Sequence, residues 1–233
     1  MTVVRGRTIP EATVARLPVY QRILAELVRG GTVTVSSDRL AELARINAAK
    51  VRKDLSFLGS FGTRGSGYDA EYLLEQIDQQ LGLGGDWPVA IVGLGNLGRA
   101  LANSHGFSSR GFRVAGLFDI DSELVGTTVS DVEIQHLDAL ELSSGKDRPI
   151  IGVIATPAKV AQDVADKLVD IGVGSLLNFA PRVLAVPSHV LLRYVDLSIE
   201  LQVMSFYLSH RETSGEMSPA AAGSPGLAPL QPG

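Results

Sequence analysis

The sequence predicts an α/β protein of two domains, an N-terminal winged helix-turn-helix followed by a Rossmann doubly wound parallel sheet. Three observations predict it. Residues 1–64 carry 11 Lys/Arg against 5 Asp/Glu, whereas residues 65–233 carry 10 against 20. The apolar pattern is helical before Trp87 and changes after it to apolar runs alternating with helical stretches. Between the first two of those runs stands Gly93-Leu94-Gly95-Asn96-Leu97-Gly98, the spacing of a phosphate-binding turn.

Taken in order, residues 11–29 place Val14, Leu17, Ile23, Leu24, Leu27 and Val28 at helical spacing and stop at Gly30-Gly31. Thr32–Val35 is short and β-branched. Ser36-Ser37-Asp38 offers N-caps for a helix to about Ala44, and Asn47 caps another from Ala48 to about Leu58. Helix, tight turn, helix is the outline of a helix-turn-helix. Four glycines between Gly59 and Tyr68 suit a small hairpin, the wing. Residues 69–81, with Tyr72, Leu73, Leu74, Ile77 and Leu81, read as a connecting helix ending at the glycine-rich boundary Gly82–Asp86. Beyond it Val89–Val92, Val114–Phe118, Ile150–Ala155 and Leu176–Phe179 are continuous apolar runs, which a parallel sheet buried on both faces requires. Asp196–His210 is apolar on more than one face, so its burial needs a partner subunit. Residues 212–233, with Pro219, Pro225, Pro229 and Pro232 among Ala and Gly, cannot build a core and are expected to be disordered.

Composition excludes several classes. There is no cysteine, hence no disulfide framework, cysteine zinc site or thiol redox switch, and no metal site is expected. No apolar run reaches the ~18 residues of a membrane span and the start lacks a signal core, so a cytoplasmic protein is expected. The basic end can meet phosphates and the acidic remainder repels them, which confines any DNA footprint to residues 1–64.

The glycine turn gains meaning from its surroundings. It follows a strand, opens a helix at Arg99-Ala100-Leu101, and precedes a second strand ending in Phe118-Asp119, 21 residues after Gly98. Gly93 permits the tight turn, Gly95 lets backbone approach a pyrophosphate, and Gly98 allows helix–strand packing. Asp119 accepts hydrogen bonds from an adenosine ribose and repels a 2′-phosphate, favouring NAD and NADH over their phosphorylated forms. Lys50, Arg52 and Lys53, beside Asp54, lie on the second helix of the helix-turn-helix, where they address a major groove. Arg64, flanked by Gly62 and Gly65 on the wing, suits a narrow minor groove. His105, His136 and His189 are assigned ordinary polar duty.

The strings Val51-Arg52-Lys53-Asp54-Leu55-Ser56, Gly62-Thr63-Arg64-Gly65, Gly93 to Leu101, Asn178-Phe179-Ala180-Pro181 and Val195 to Leu201, in this order over residues 10–210, resemble the Rex family of bacterial redox-sensing repressors. The resemblance implies a homodimer that binds palindromic double-stranded operator DNA when NADH is scarce and leaves it when NADH binds. It implies domains at 1–83 (winged helix) and 84–195 (Rossmann), with 196–211 a dimerisation helix swapped between subunits. It adds Ala155, Thr156, Pro157, Asn178, Phe179 and Ala180 to the cofactor site and Ser56 to the DNA face. It links Asp196 and Arg22 to the switch and places Leu197 near the partner's nicotinamide. The chain departs from the pattern at Ser104, where family members commonly have Tyr.

Two other classes are weighed against a sensor. An NAD-dependent oxidoreductase needs an acid or base near the transferred hydride, yet the chain has no Tyr-x-x-x-Lys pair and little length for a substrate domain. A coenzyme A-binding Rossmann module shares the phosphate turn.

Overall fold

The computed structural model describes residues 2–4, 7–59, 67–142 and 148–211. The chain divides into two compact units, Met1–Gly84 with Tyr207–Gly233, and Gly85–Phe206.

The first unit opens with an antiparallel pair, β1 (Thr2–Val4) and β2 (Arg7–Ile9), in residues that carry no clear strand pattern. The helix expected over residues 11–29 is two helices, α1 (Glu11–Val14) and α2 (Leu17–Arg29). Pro18 explains the break: it has no N–H and its ring would clash with the Val14 carbonyl in a continuous helix, whereas the first turn of a new helix accepts it. Strand β3 is only Thr34–Val35. Helix α3 (Ser37–Ala44) starts where Ser36 Oγ accepts the Arg39 N–H at 3.0 Å and ends at Arg45 in the left-handed region. Helix α4 (Ala48–Leu58) is capped by Asn47, whose side chain accepts the Ala49 N–H at 2.7 Å. Strand β4 (Tyr68–Asp69) pairs antiparallel with β3, and Asp69 caps α5 (Ala70–Leu81) through the Tyr72 N–H. Leu17, Tyr20, Leu24, Leu40, Val51, Leu55, Leu73 and Ile77 form the core. Tyr72, expected among the apolar positions of α5, is instead 52% exposed. Residues 60–66 of the expected wing lie outside the described residues.

The second unit is a seven-stranded sheet. Its strands are β5 (Trp87–Val92), β6 (Phe112–Asp119), β7 (Thr128–Val129), β8 (Val132–His136), β9 (Ile151–Ile154), β10 (Ser175–Asn178) and β11 (Leu191–Tyr194). Their spatial order is β11-β10-β9-β5-β6-β8-β7, parallel throughout except for the edge pair β7–β8. Counted in chain order, the six parallel strands run 3-2-1-4-5-6, the Rossmann arrangement, with its switch point between β5 and β9. Helices α6 (Asn96–Ala102), α7 (His105–Ser108) and α8 (Ala161–Asp170) complete the layers. Alternation along β5 divides the core: Ala90 and Val92 face α8 with Val164 and Leu168, whereas Val89 and Ile91 face the side of α6 with Leu117 and Ile134.

Helix α9 (Leu197–Arg211) closes the described chain. Its apolar residues lie on no single stripe, and Leu197, Leu201, Met204, Phe206 and Leu208 are all more than half exposed.

Candidate dinucleotide and nucleic-acid sites

Four strand ends meet at the carboxyl edge of the sheet. Gly93 N–H donates to the Phe118 carbonyl, Ala155 N–H to Val92 and Phe179 N–H to Ile154, each at 2.9 Å. Gly93, Asp119, Ala155 and Phe179 are thereby gathered beside the switch point, where such sheets bind ligands. Gly93 adopts φ +94°, and a Cβ there would lie 2.7 Å from the Ala155 carbonyl oxygen. A Cβ on Gly98 would run into the Gly93 carbonyl, so this glycine lets α6 sit against the end of β5. Around Gly95 there is open space, and the first turn of α6 leaves backbone N–H groups without helical partners. Thr156 Oγ1 is buried without a hydrogen-bond partner among the described residues. Open backbone, first-turn donors and an orphaned hydroxyl fit a ligand bearing a pyrophosphate.

Asp119 is tied to the turn itself. Its Oδ2 accepts the Leu94 N–H at 2.5 Å and its Oδ1 accepts the N–H groups of Ile120 and Asp121 at 2.7 and 3.0 Å. A carboxylate has about four acceptor positions, so capacity remains for a ribose hydroxyl. Leu94 is fully buried, while Asn96, Leu97 and Pro157 are exposed at the rim. Asn178 lies one residue from the crevice, but its side chain braces its own loop. Its amide donates to the Ala180 and Arg182 carbonyls and its oxygen accepts the Ala180 N–H, all within 3.1 Å. It shapes the 178–182 turn rather than offering a free polar group to a ligand.

On α4, Val51, Asp54 and Leu55 are buried and Lys50, Arg52, Lys53 and Ser56 are exposed. The cations thus occupy the outer face of the second helix of the helix-turn-helix. Arg52 donates to Ser37 Oγ at 2.8 Å and lies 3.9 Å from Asp38, which leans it towards the start of α3. Ser56 Oγ donates to the Lys53 carbonyl. Arg64 lies outside the described residues.

Asp54 is not a neighbour of these cations on a solvated face, as its adjacency in sequence implies. It is 2% exposed. Its Oδ1 accepts from Thr13 Oγ1 at 2.9 Å and Arg16 Nη2 at 2.7 Å, and its Oδ2 from Arg16 Nε at 2.6 Å and the Tyr20 hydroxyl at 2.7 Å. Burial alone would raise its pKa, but the bonds from Arg16, Tyr20 and Thr13 outweigh burial and hold it below the usual carboxylate range. Burial and the bond to Asp54 push the Tyr20 phenol well above its ordinary value, and the same carboxylate raises Arg16. A helical signal could have found this site: position 54 lies on the apolar stripe Val51, Leu55, Leu58 at offsets of three and four.

Of the two residues linked to a switch, Arg22 is half-buried on α2 and Asp196 caps α9. Asp196 Oδ1 accepts the Ser198 N–H at 2.8 Å and the Ser198 hydroxyl at 2.6 Å, and these bonds lower its pKa. Among the described residues no cluster of three or more His, Asp or Glu is placed to hold a metal, and no helix is long and apolar enough to cross a membrane.

Known proteins share both halves of this architecture. Residues 85–182 match the family described as "CoA binding domain" and residues 8–56 the family described as "Putative DNA-binding protein N-terminus". The redox-sensing transcriptional repressor Rex of Streptomyces coelicolor is 56% identical over 224 residues, 96% of this chain and 86% of that protein. The crystal structure of RSP in complex with β-NAD+ and operator DNA superposes with a TM-score of 0.83 at 36% identity, covering 88% of this chain and 95% of that one. The same protein in complex with β-NADH gives 0.80 at 35% identity over 91% and 98%. With such identity over nearly its whole length, the chain belongs to the Rex family of redox-sensing transcriptional repressors.

Proposed function

We propose that this protein is a cytoplasmic homodimer that binds palindromic operator DNA through the basic face of α4 and the wing, and is released when NADH occupies the crevice at Gly93–Gly98. The observation that carries the reading is one chain bearing both an exposed cationic recognition helix and a glycine turn with an orphaned Thr156 hydroxyl beside it. Gly95, Asn96 and Leu97 would hold the pyrophosphate on backbone N–H groups, Asp119 an adenosine ribose, and Thr156 a polar edge of the ligand. The nicotinamide ring supplies the redox signal, because it is positively charged when oxidised and neutral when reduced. Apolar groups such as Phe179 and the partner's Leu197 penalise the charged form by desolvation. Dimerisation through α9 covers its exposed Leu201, Met204, Phe206 and Leu208, a surface too apolar for a solvated helix.

The deciding experiment is a titration of operator binding against NADH at fixed NAD. Release at rising NADH supports the reading, and an operator affinity indifferent to NADH overturns it. A second reading, a coenzyme A module, is favoured by the family match over residues 85–182. Coenzyme A displacing NADH from the protein at comparable concentration would establish it.

A further inference from the structure

Resting on the repressor reading, we infer that Asp54, gripped by Thr13, Arg16 and Tyr20, is a positioning residue that sets the angular seating of the recognition helix and thereby operator selectivity. The four donors come from three places: Thr13 on α1, Arg16 at the junction, and Tyr20 on α2. All converge on one carboxylate in the middle of α4, immediately after Lys53 and two residues before Ser56. Apolar contacts at Val51 and Leu55 hold α4 against the core but tolerate small rolls, because dispersion has no direction. The Arg16 fork and the Tyr20 hydroxyl are directional and bind both oxygens, which fixes roll and slide together.

The roll matters at the groove. A side chain ~6 Å from the helix axis moves roughly 2 Å when the helix rolls roughly 20°, enough to break a base-edge hydrogen bond. Phosphate contacts tolerate such a shift far better, since their attraction is long-ranged. A buried ion pair is also a poor device for stability alone, because well-packed apolar residues of similar volume usually serve as well or better. Its advantage is a unique orientation.

The test uses the full chain with Asp54→Asn, Arg16→Lys and Tyr20→Phe. Each variant is measured by anisotropy against the operator that the wild-type protein selects from random duplexes and against a scrambled duplex, at two salt concentrations. NADH calorimetry and thermal unfolding accompany these. Asp54→Asn is expected to lose tenfold or more in operator affinity, with Tyr20→Phe intermediate. Affinity for scrambled duplex, its salt dependence and NADH affinity stay at wild-type values. Parallel losses on both duplexes, or unchanged discrimination by folded variants, overturn the proposal. Should Asp54→Asn fail to fold, Tyr20→Phe decides, since it removes one bond of four and keeps the buried ring. Wild type without operator preference overturns the repressor reading and this proposal with it, whereas preference shared equally by the variants overturns the proposal alone.

Discussion

At Asp119 the carboxylate serves the fold, and it is also the group proposed to meet the ligand. Its bond to the Leu94 N–H ties the end of β6 to the glycine turn, so the group proposed to meet the ribose is already held in place by the fold. Asp119→Ala should weaken NADH binding by about 1–3 kcal/mol, the scale of a hydrogen bond to a charged group, and narrow discrimination against NADPH. Calorimetry with both cofactors checks this, and unchanged affinities would remove Asp119 from the site. At Asp54 the expected dependence is on pH. Its folded pKa lies below the unfolded value of about 3.9, so its contribution to stability is complete above about pH 4 and is lost as pH falls through the folded value. The stability gap between wild type and Asp54→Asn should therefore be widest near neutrality and close on acidification, as urea unfolding at stepped pH will show. Both residues were visible in the sequence, but only one was legible. Asp119 is announced by its distance from the glycine turn. The partners of Asp54 lie 34 to 41 residues away, and the two residues before it in sequence are exposed cations. Asn178 shows the converse: motif likeness brought it to the site, and only geometry reveals that its amide is spent on its own loop.

Among the elements, those with a strong period and a clear cap were readable. Ser36 and Asn47 cap α3 and α4 where expected, and the apolar runs became β5, β6, β9 and β10. The missed strands are edges or half-solvated. In Val132–His136 only Ile134 is buried, and Leu191–Tyr194 has no fully buried residue, so neither shows the continuous apolar run of a central strand. The break before Pro18 was readable from the proline and was masked by the helical spacing on either side. For α4 the expected outcome concerns salt. Arg52→Ala and Lys53→Ala should each weaken operator binding, and a member that contacts phosphate should reduce the slope of log K against log salt by about one. Equal affinity to wild type across salt concentrations, in both, would take the recognition face off α4. For α9 the measurement is mass. Leu201 is 64% exposed in the single chain, and Leu201→Glu should shift the protein from the proposed dimer to monomer in analytical ultracentrifugation.

In the molecule as a whole, two sites make a switch only if one ligand changes the affinity for the other. Linkage then demands reciprocity: if NADH lowers operator affinity by some factor, the operator lowers NADH affinity by that factor. The sheet and the helix-turn-helix belong to separate compact units, and α9, through which the dimer is proposed to form, is the proposed lever. Asp196 stands at the start of that helix, partly exposed, with Ser198 supplying its hydrogen bonds. Such a carboxylate can exchange a local cap for a cation on another surface at modest cost, and Arg22 on α2 is the proposed partner in one of two states. A cofactor that biases those states would move the recognition helices of the dimer to or from one-turn spacing along DNA. Asp196→Ala should therefore yield a folded dimer that binds both NADH and operator but couples them weakly. Anisotropy titrations of both proteins with operator, with and without NADH, measure the coupling directly. Identical NADH-induced release in wild type and Asp196→Ala would sink the role of Asp196, and a coupling factor that differed between the two directions of the titration would mean that a third ligand or state is involved.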